Sequence, residues 1–141
     1  MDTSIQHLHH FNYIAVLVSA LILWFLGAVW YSPALFAKSW MAALGIVPNP
    51  DKKEGLVLGM VSSFIGDIFV AFVLLHFVLW SGAASFGGGA FVGFLSWLGF
   101  YAATQFPQGI YESRPPRLFA INAGYWFIGL LIVGGILAVW K

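Results

Sequence analysis

Four apolar runs, each long enough to cross about 30 Å of hydrocarbon as a helix, dominate this chain. They cover approximately residues 11–31, 56–80, 86–106 and 118–140 and leave only short connections between them. A backbone in lipid must satisfy its own hydrogen bonds, and these continuous runs lack the alternation of a closed barrel, so each is predicted to be helical. Composition agrees, because 61% hydrophobic and 8% charged residues with a mean hydropathy of +0.91 fall outside the range of a soluble domain. The expected architecture is all-α: one transmembrane domain over residues 1–141, a bundle of four spans with a short interfacial helix after the first.

The opening MDTSIQHLHH carries no Lys or Arg, and the apolar run behind it is too long for a cleaved signal, so the first span is expected to be retained. Lys38, Lys52 and Lys53 lie between spans one and two, and Arg114 and Arg117 between spans three and four, with only Lys141 on the other side. The excess of cations on one side predicts that both termini face away from the cytoplasm. Trp30, Tyr31, Trp40, Trp80, Tyr111 and Trp140 fall near the predicted interfaces, where aromatic belts form.

A net charge of +1 without a basic run gives no reason to expect a nucleic-acid partner. The absence of cysteine excludes disulfides, thiolate catalysis and Cys-ligated metals. His7, His9 and His10 crowd together, but no cysteine or carboxylate at ligand spacing completes a set, so neither a metal nor a cofactor is expected.

Between the first two runs stands WYSPALFAKSWMAALGI, residues 30–46. Ser32 before Pro33 reads as an N-cap with proline at the first helical position, and Gly45 suits the stop, which predicts a helix over approximately 33–44. Phe36, Trp40, Met41 and Leu44 share one stripe of it and Lys38 points the other way, as in a helix lying in the membrane interface. The competing reading is a proline kink within one longer span. VPNPDKKEG, residues 47–55, is then a polar connector.

That block and ESRPPRLFAINAGYW before the last span resemble, in order and spacing, the bacterial membrane family described as domain of unknown function 1761. Its members carry Trp-Tyr-Ser-Pro-x-Leu-Phe-x-Lys-x-Trp and Arg-Pro-x-x-Leu-Phe-x-Ile-Asn-Ala-Gly-Tyr blocks. The resemblance implies a small four-span integral protein of a bacterial inner membrane and brings no established activity. Where the family has Glu-Gly-Arg, this chain has Glu112-Ser113-Arg114.

Asp67 interrupts the second run near its middle. A carboxylate at that depth costs at least about 2.5–3.5 kcal/mol, so it should face the bundle interior and there find a partner or take up a proton. It is either an ion-binding group or a hydrogen-bonded acid that joins helices, aided by Ser63 one turn earlier. His76 is no partner within the helix: about 900° of rotation and about 13.5 Å of rise separate the two, which leaves His76 near the outer interface. Gly55, Gly59, Ser63, Gly66 and Asp67 line one side of the second span, and Gly89, Gly93 and Ser96 one side of the third. Stripes of small residues let helices approach, so both are expected to be contact faces.

A polar mouth is expected at the cytoplasmic ends, drawn from Tyr31, Lys38, Gln105, Arg114, Arg117 and Asn122. It would hold an anionic headgroup or a substrate, and the Arg114-Pro115-Pro116-Arg117 turn would contact anionic lipid. The reading that follows is a proton- or cation-linked transporter or channel, assembled as a homo-oligomer. Its site would be formed by Asp67 and Ser63 with Trp24, Phe64 and Trp97 as apolar walls. The alternative is a non-catalytic module that binds lipid or a partner protein through glycine-lined helix faces. No nucleophile beside a base is visible, so an enzyme is not expected.

Overall fold

The computed structural model describes residues 11–51 and 53–140 and is helical throughout its ordered elements. These are α1 (Tyr13–Trp30), α2 (Ala37–Leu44), α3 (Leu56–Ser81), α4 (Phe86–Ser96), α5 (Ala103–Tyr111) and α6 (Pro116–Val139). A π-helical segment, Trp97–Ala102, joins α4 to α5, so the two form one continuous rod over Phe86–Tyr111. Four of the helical rods are therefore long and apolar enough to cross a membrane, and the protein is an integral membrane bundle. His7, His9 and His10 lie outside the described residues.

Helix ends follow local chemistry. The Asn12 side chain accepts from the Ala15 amide at 3.0 Å and starts α1. The Ser85 hydroxyl oxygen accepts from the Gly88 amide at 3.1 Å and starts α4. Gly45 ends α2 in the left-handed region at φ 69°, with its amide on the Ala42 carbonyl and that of Ile46 on the Met41 carbonyl.

Three boundaries differ from expectation. Ser32 does not cap α2: its hydroxyl donates back to the Val29 carbonyl at 2.7 Å, the chain turns tightly through 32–36, and α2 begins only at Ala37. The turn is closed by the Phe36 amide on the Trp30 carbonyl and the Ala37 amide on the Ser32 carbonyl. The third span runs on past residue 106 to Tyr111 although Pro107 is inside it. There the Thr104 hydroxyl bonds the Phe100 and Tyr101 carbonyls at 2.9 and 3.0 Å, which compensates backbone groups disturbed by the π segment. The last span starts at Pro116, two residues early, because proline at the first helical position needs no amide partner.

Packing is uneven along the bundle. Ala15, Val16, Leu74, Leu75, Val78, Val133 and Leu137 form a closed core at the end that holds the start of α1 and the finish of α6. There α4 meets α6 backbone to backbone: a Cβ on Gly89 would collide with the Gly134 carbonyl oxygen, and one on Gly93 with that of Leu130. At the other end the bundle opens. Every residue of α3 from Leu56 to Gly66 is exposed except Phe64, whereas Asp67, Ala71, Leu74, Leu75 and Val78 are buried.

Candidate functional site

The open end of the bundle encloses a cavity of about 910 Å³. Along α3 it follows Gly55, Gly59, Ser63, Gly66 and Asp67 as far as Val70, four turns of one face. Across from α3 stand Trp24, Gly27 and Tyr31 from α1 and its end, Tyr101 from the π segment, and Asn122, Tyr125 and Trp126 from α6. Ala37, Trp40 and Met41 border the cavity at the level of α2. Trp40 and Met41 of the α2 stripe thus turn toward the bundle while Leu44 and Lys38 stay exposed, so this helix flanks the cavity.

The small face of α3 is not the helix contact expected of it. Nothing lies within 4 Å of a Cβ built on Gly59 or Gly66, because that face borders the cavity. The stripe of α4 behaves as predicted, with Gly89 and Gly93 pressed against α6.

Asp67 sits at the inner end of the cavity, where the closed core begins, and is only 5% exposed. Among the described residues it has no hydrogen-bond donor and no counter-ion, and the one fully enclosed side-chain polar atom without a partner is the Ser19 hydroxyl. Four side-chain donors of the lining are engaged elsewhere, whereas the Tyr101 hydroxyl and the Trp126 indole N–H line the same cavity without a hydrogen bond among the described residues. Trp24 donates Nε1–H to the Met60 carbonyl at 3.1 Å, Ser63 its hydroxyl to the Gly59 carbonyl at 2.8 Å, and Tyr125 its hydroxyl to the Leu23 carbonyl at 2.9 Å. Tyr31 donates to Asn122 Oδ1 at 2.6 Å. An intramembrane acid that served only to join helices would be held by such donors.

The two distinctive sequence blocks meet in one joint beside the cavity. Trp30 donates its indole N–H to the Ile121 carbonyl at 2.9 Å and lies against Gly124, while Tyr31 bonds Asn122 and packs edge-on to Tyr125 with ring centroids 5.7 Å apart. Gly27 leaves room for the Tyr125 ring. Trp30, Tyr31 and Trp40, expected in the aromatic belt, are thus turned into the protein, and Trp80 and Tyr111 remain outside at 73% and 86% exposure.

Other expected site residues divide. Trp24 and Ser63 line the cavity with Asp67, and Phe64 packs edge-on against Trp24 at 6.1 Å. Trp97 stands apart, its indole on the Ala123 carbonyl and its ring 5.0 Å from that of Phe127. Of the polar mouth, Tyr31 and Asn122 belong to the large cavity. Gln105 and Arg114 instead border a separate recess of about 130 Å³ that Asn122 also touches. Arg114 pairs there with Glu112, which also accepts from Gln108. Lys38 and Arg117 are exposed and border neither space. His76 bonds the Phe72 carbonyl and packs by Trp80, away from Asp67.

Sequence reasoning passed over Tyr101, Tyr125 and Trp126 as walls. Asn122, Tyr125 and Trp126 fall at i, i+3 and i+4, one face of α6, and that spacing was the available signal.

No curated protein and no solved structure shows a match to this chain. The family model described as protein of unknown function, DUF1761, matches residues 14–138. Both blocks of the joint, the cavity walls and Asp67 fall inside that match, and the chain belongs to the DUF1761 family.

Proposed function

We propose that this protein is a small transporter or channel, not an enzyme, in which Asp67 takes up a proton or a cation from the cavity. The observation that carries the reading is the position of Asp67: buried at mid-span, without a protein partner, and open to a cavity that extends to the level of α2. An acid kept at that depth against its insertion cost, with no donor to hold it, suits a group that binds something mobile. The core that Ala15, Leu75, Val78, Val133 and Leu137 form beyond it supports the reading, because one state of an alternating-access cycle would be open from one end.

The excess of cations at residues 31–55 and 112–117 favours an open end that faces the cytoplasm, with both termini on the opposite side. Self-association belongs to the same reading, and what supports it is the low burial of the second and third spans, 11% of each apolar window. The module alternative has less support. Of the glycine faces it would use, that of α4 is already filled by α6, which leaves only that of α3 along the cavity.

The test uses proteoliposomes that hold a trapped pH dye and an imposed pH gradient, with alkali or organic ammonium cations added in turn. The protein should speed the decay of the gradient for at least one cation. Asp67→Asn should return it to the rate of empty vesicles while keeping helix content and melting behaviour. Equal rates for the two proteins, or no rate above empty vesicles with any cation, would contradict the proposal.

A further inference from the structure

We infer that the cavity accepts a lipophilic organic monocation, with its charge against Asp67 and its body among the aromatic rings; this rests on the reading of Asp67 as the ion-binding group. Three properties of the site point that way.

The first is charge. Asp67 is the one acid among the described residues that line the cavity, and no lysine or arginine there balances it. A single positive charge complements the site, whereas a second would be left buried without a partner.

The second is the chemistry of the walls. Trp24, Tyr31, Trp40, Tyr101, Tyr125 and Trp126 all face one space, and most of the remaining lining is Gly, Ala, Met, Leu and Val. A dehydrated metal ion needs a shell of oxygen ligands, and this lining supplies few. An organic cation is weakly hydrated, and its attraction to aromatic rings strengthens when water is excluded.

The third is the state of the donors. The N–H or O–H groups of Trp24, Tyr31 and Tyr125 are engaged with Met60, Asn122 and Leu23, which holds those rings in place and withdraws them from a hydrogen-bonding substrate. The lining donors without a hydrogen bond among the described residues, the Tyr101 hydroxyl, the Trp40 and Trp126 indole N–H groups and the Asn122 amide N–H, are uncharged, so a neutral polar ligand would leave Asp67 without a counter-charge. The volume of about 910 Å³ lies within the range that encloses a ligand of drug size.

Tetraphenylphosphonium and tetraphenylborate separate these ideas, because they share shape and apolar surface and differ in sign. Titrated into the purified protein in detergent and followed by tryptophan fluorescence, the phosphonium should bind saturably and the borate should not. Asp67→Asn should weaken phosphonium binding at least tenfold. Acidification of the unaltered protein should weaken it too, since protons compete for the one acid of the lining, which keeps the test decisive if the variant misfolds. Equal binding of both ions, or phosphonium binding indifferent to both the substitution and pH, would overturn the inference. Absent phosphonium binding beside Asp67-dependent proton flux would sink the inference alone. Asp67-dependent phosphonium binding without flux of any ion would support it and sink transport.

Discussion

Asp67 concentrates the chemistry of this molecule because its surroundings combine burial with a lack of partners. A carboxyl that is 5% exposed and has no donor leaves part of its desolvation cost unrecovered, and the cation proposed to bind there would recover it. Ser113 shows a smaller, separate tension. It holds φ at 53°, the one left-handed non-glycine among the described residues, and it ends α5 where the resembled family block has glycine. The amides of Ser113 and Arg114 close the helix on the carbonyls of Ile110 and Gly109, so the turn keeps a glycine geometry with a Cβ in it. Ser113→Gly should therefore stabilise the protein by up to about 1 kcal/mol, seen as a higher melting temperature in detergent. An unchanged or lower melting temperature would show that the Cβ is not strained. At this scale the sequence was readable where a residue contrasts with its run, as Asp67 does. Tyr125 and Trp126 were not, because an aromatic side chain in an apolar run looks the same whether it meets lipid, core or cavity.

Between the elements, the two stripes of small residues came to opposite ends. The sequence shows only that a helix face is free of bulk, and whether a neighbour fills the space depends on where the other helices go. Gly89 and Gly93 of α4 are filled by the α6 backbone, and Gly59 and Gly66 of α3 are not filled. Gly93→Ala should cost about 1–3 kcal/mol as α4 and α6 are forced apart. Gly59→Ala, with nothing within 4 Å of its new methyl group, should leave stability unchanged or raise it slightly through helix propensity. Thermal unfolding of both variants in one detergent checks the pair, and the reverse order of stabilities would mean that α3 packs where the cavity is placed. The α2 helix was legible in its stripe and its Gly45 stop. Its start was misread because Ser32 bonds backward to Val29, a choice the dipeptide Ser-Pro does not reveal.

As a whole molecule, the four spans and their order were written in hydropathy, and the bundle follows them to within a few residues at most ends. What hydropathy does not carry is the taper. The core closes one end through Ala15, Leu75, Val78, Val133 and Leu137, and the cavity takes the other, where the Trp30–Tyr31 and Asn122–Tyr125 blocks meet from 91 positions apart. The proposed transport and the proposed cation binding both require water to reach Asp67 from the open end and to stop there. The chain has no cysteine, so single thiols can be placed at Ser63, which borders the cavity, and at Ala71, fully buried one turn beyond Asp67. A membrane-impermeant thiosulfonate reacts with the thiolate, which forms only where water is present. In vesicles of both orientations, Ser63→Cys should react readily and Ala71→Cys should stay unmodified until the protein is unfolded. Equal resistance at the two positions would mean a dry helix face around Asp67 and would contradict an aqueous route to it.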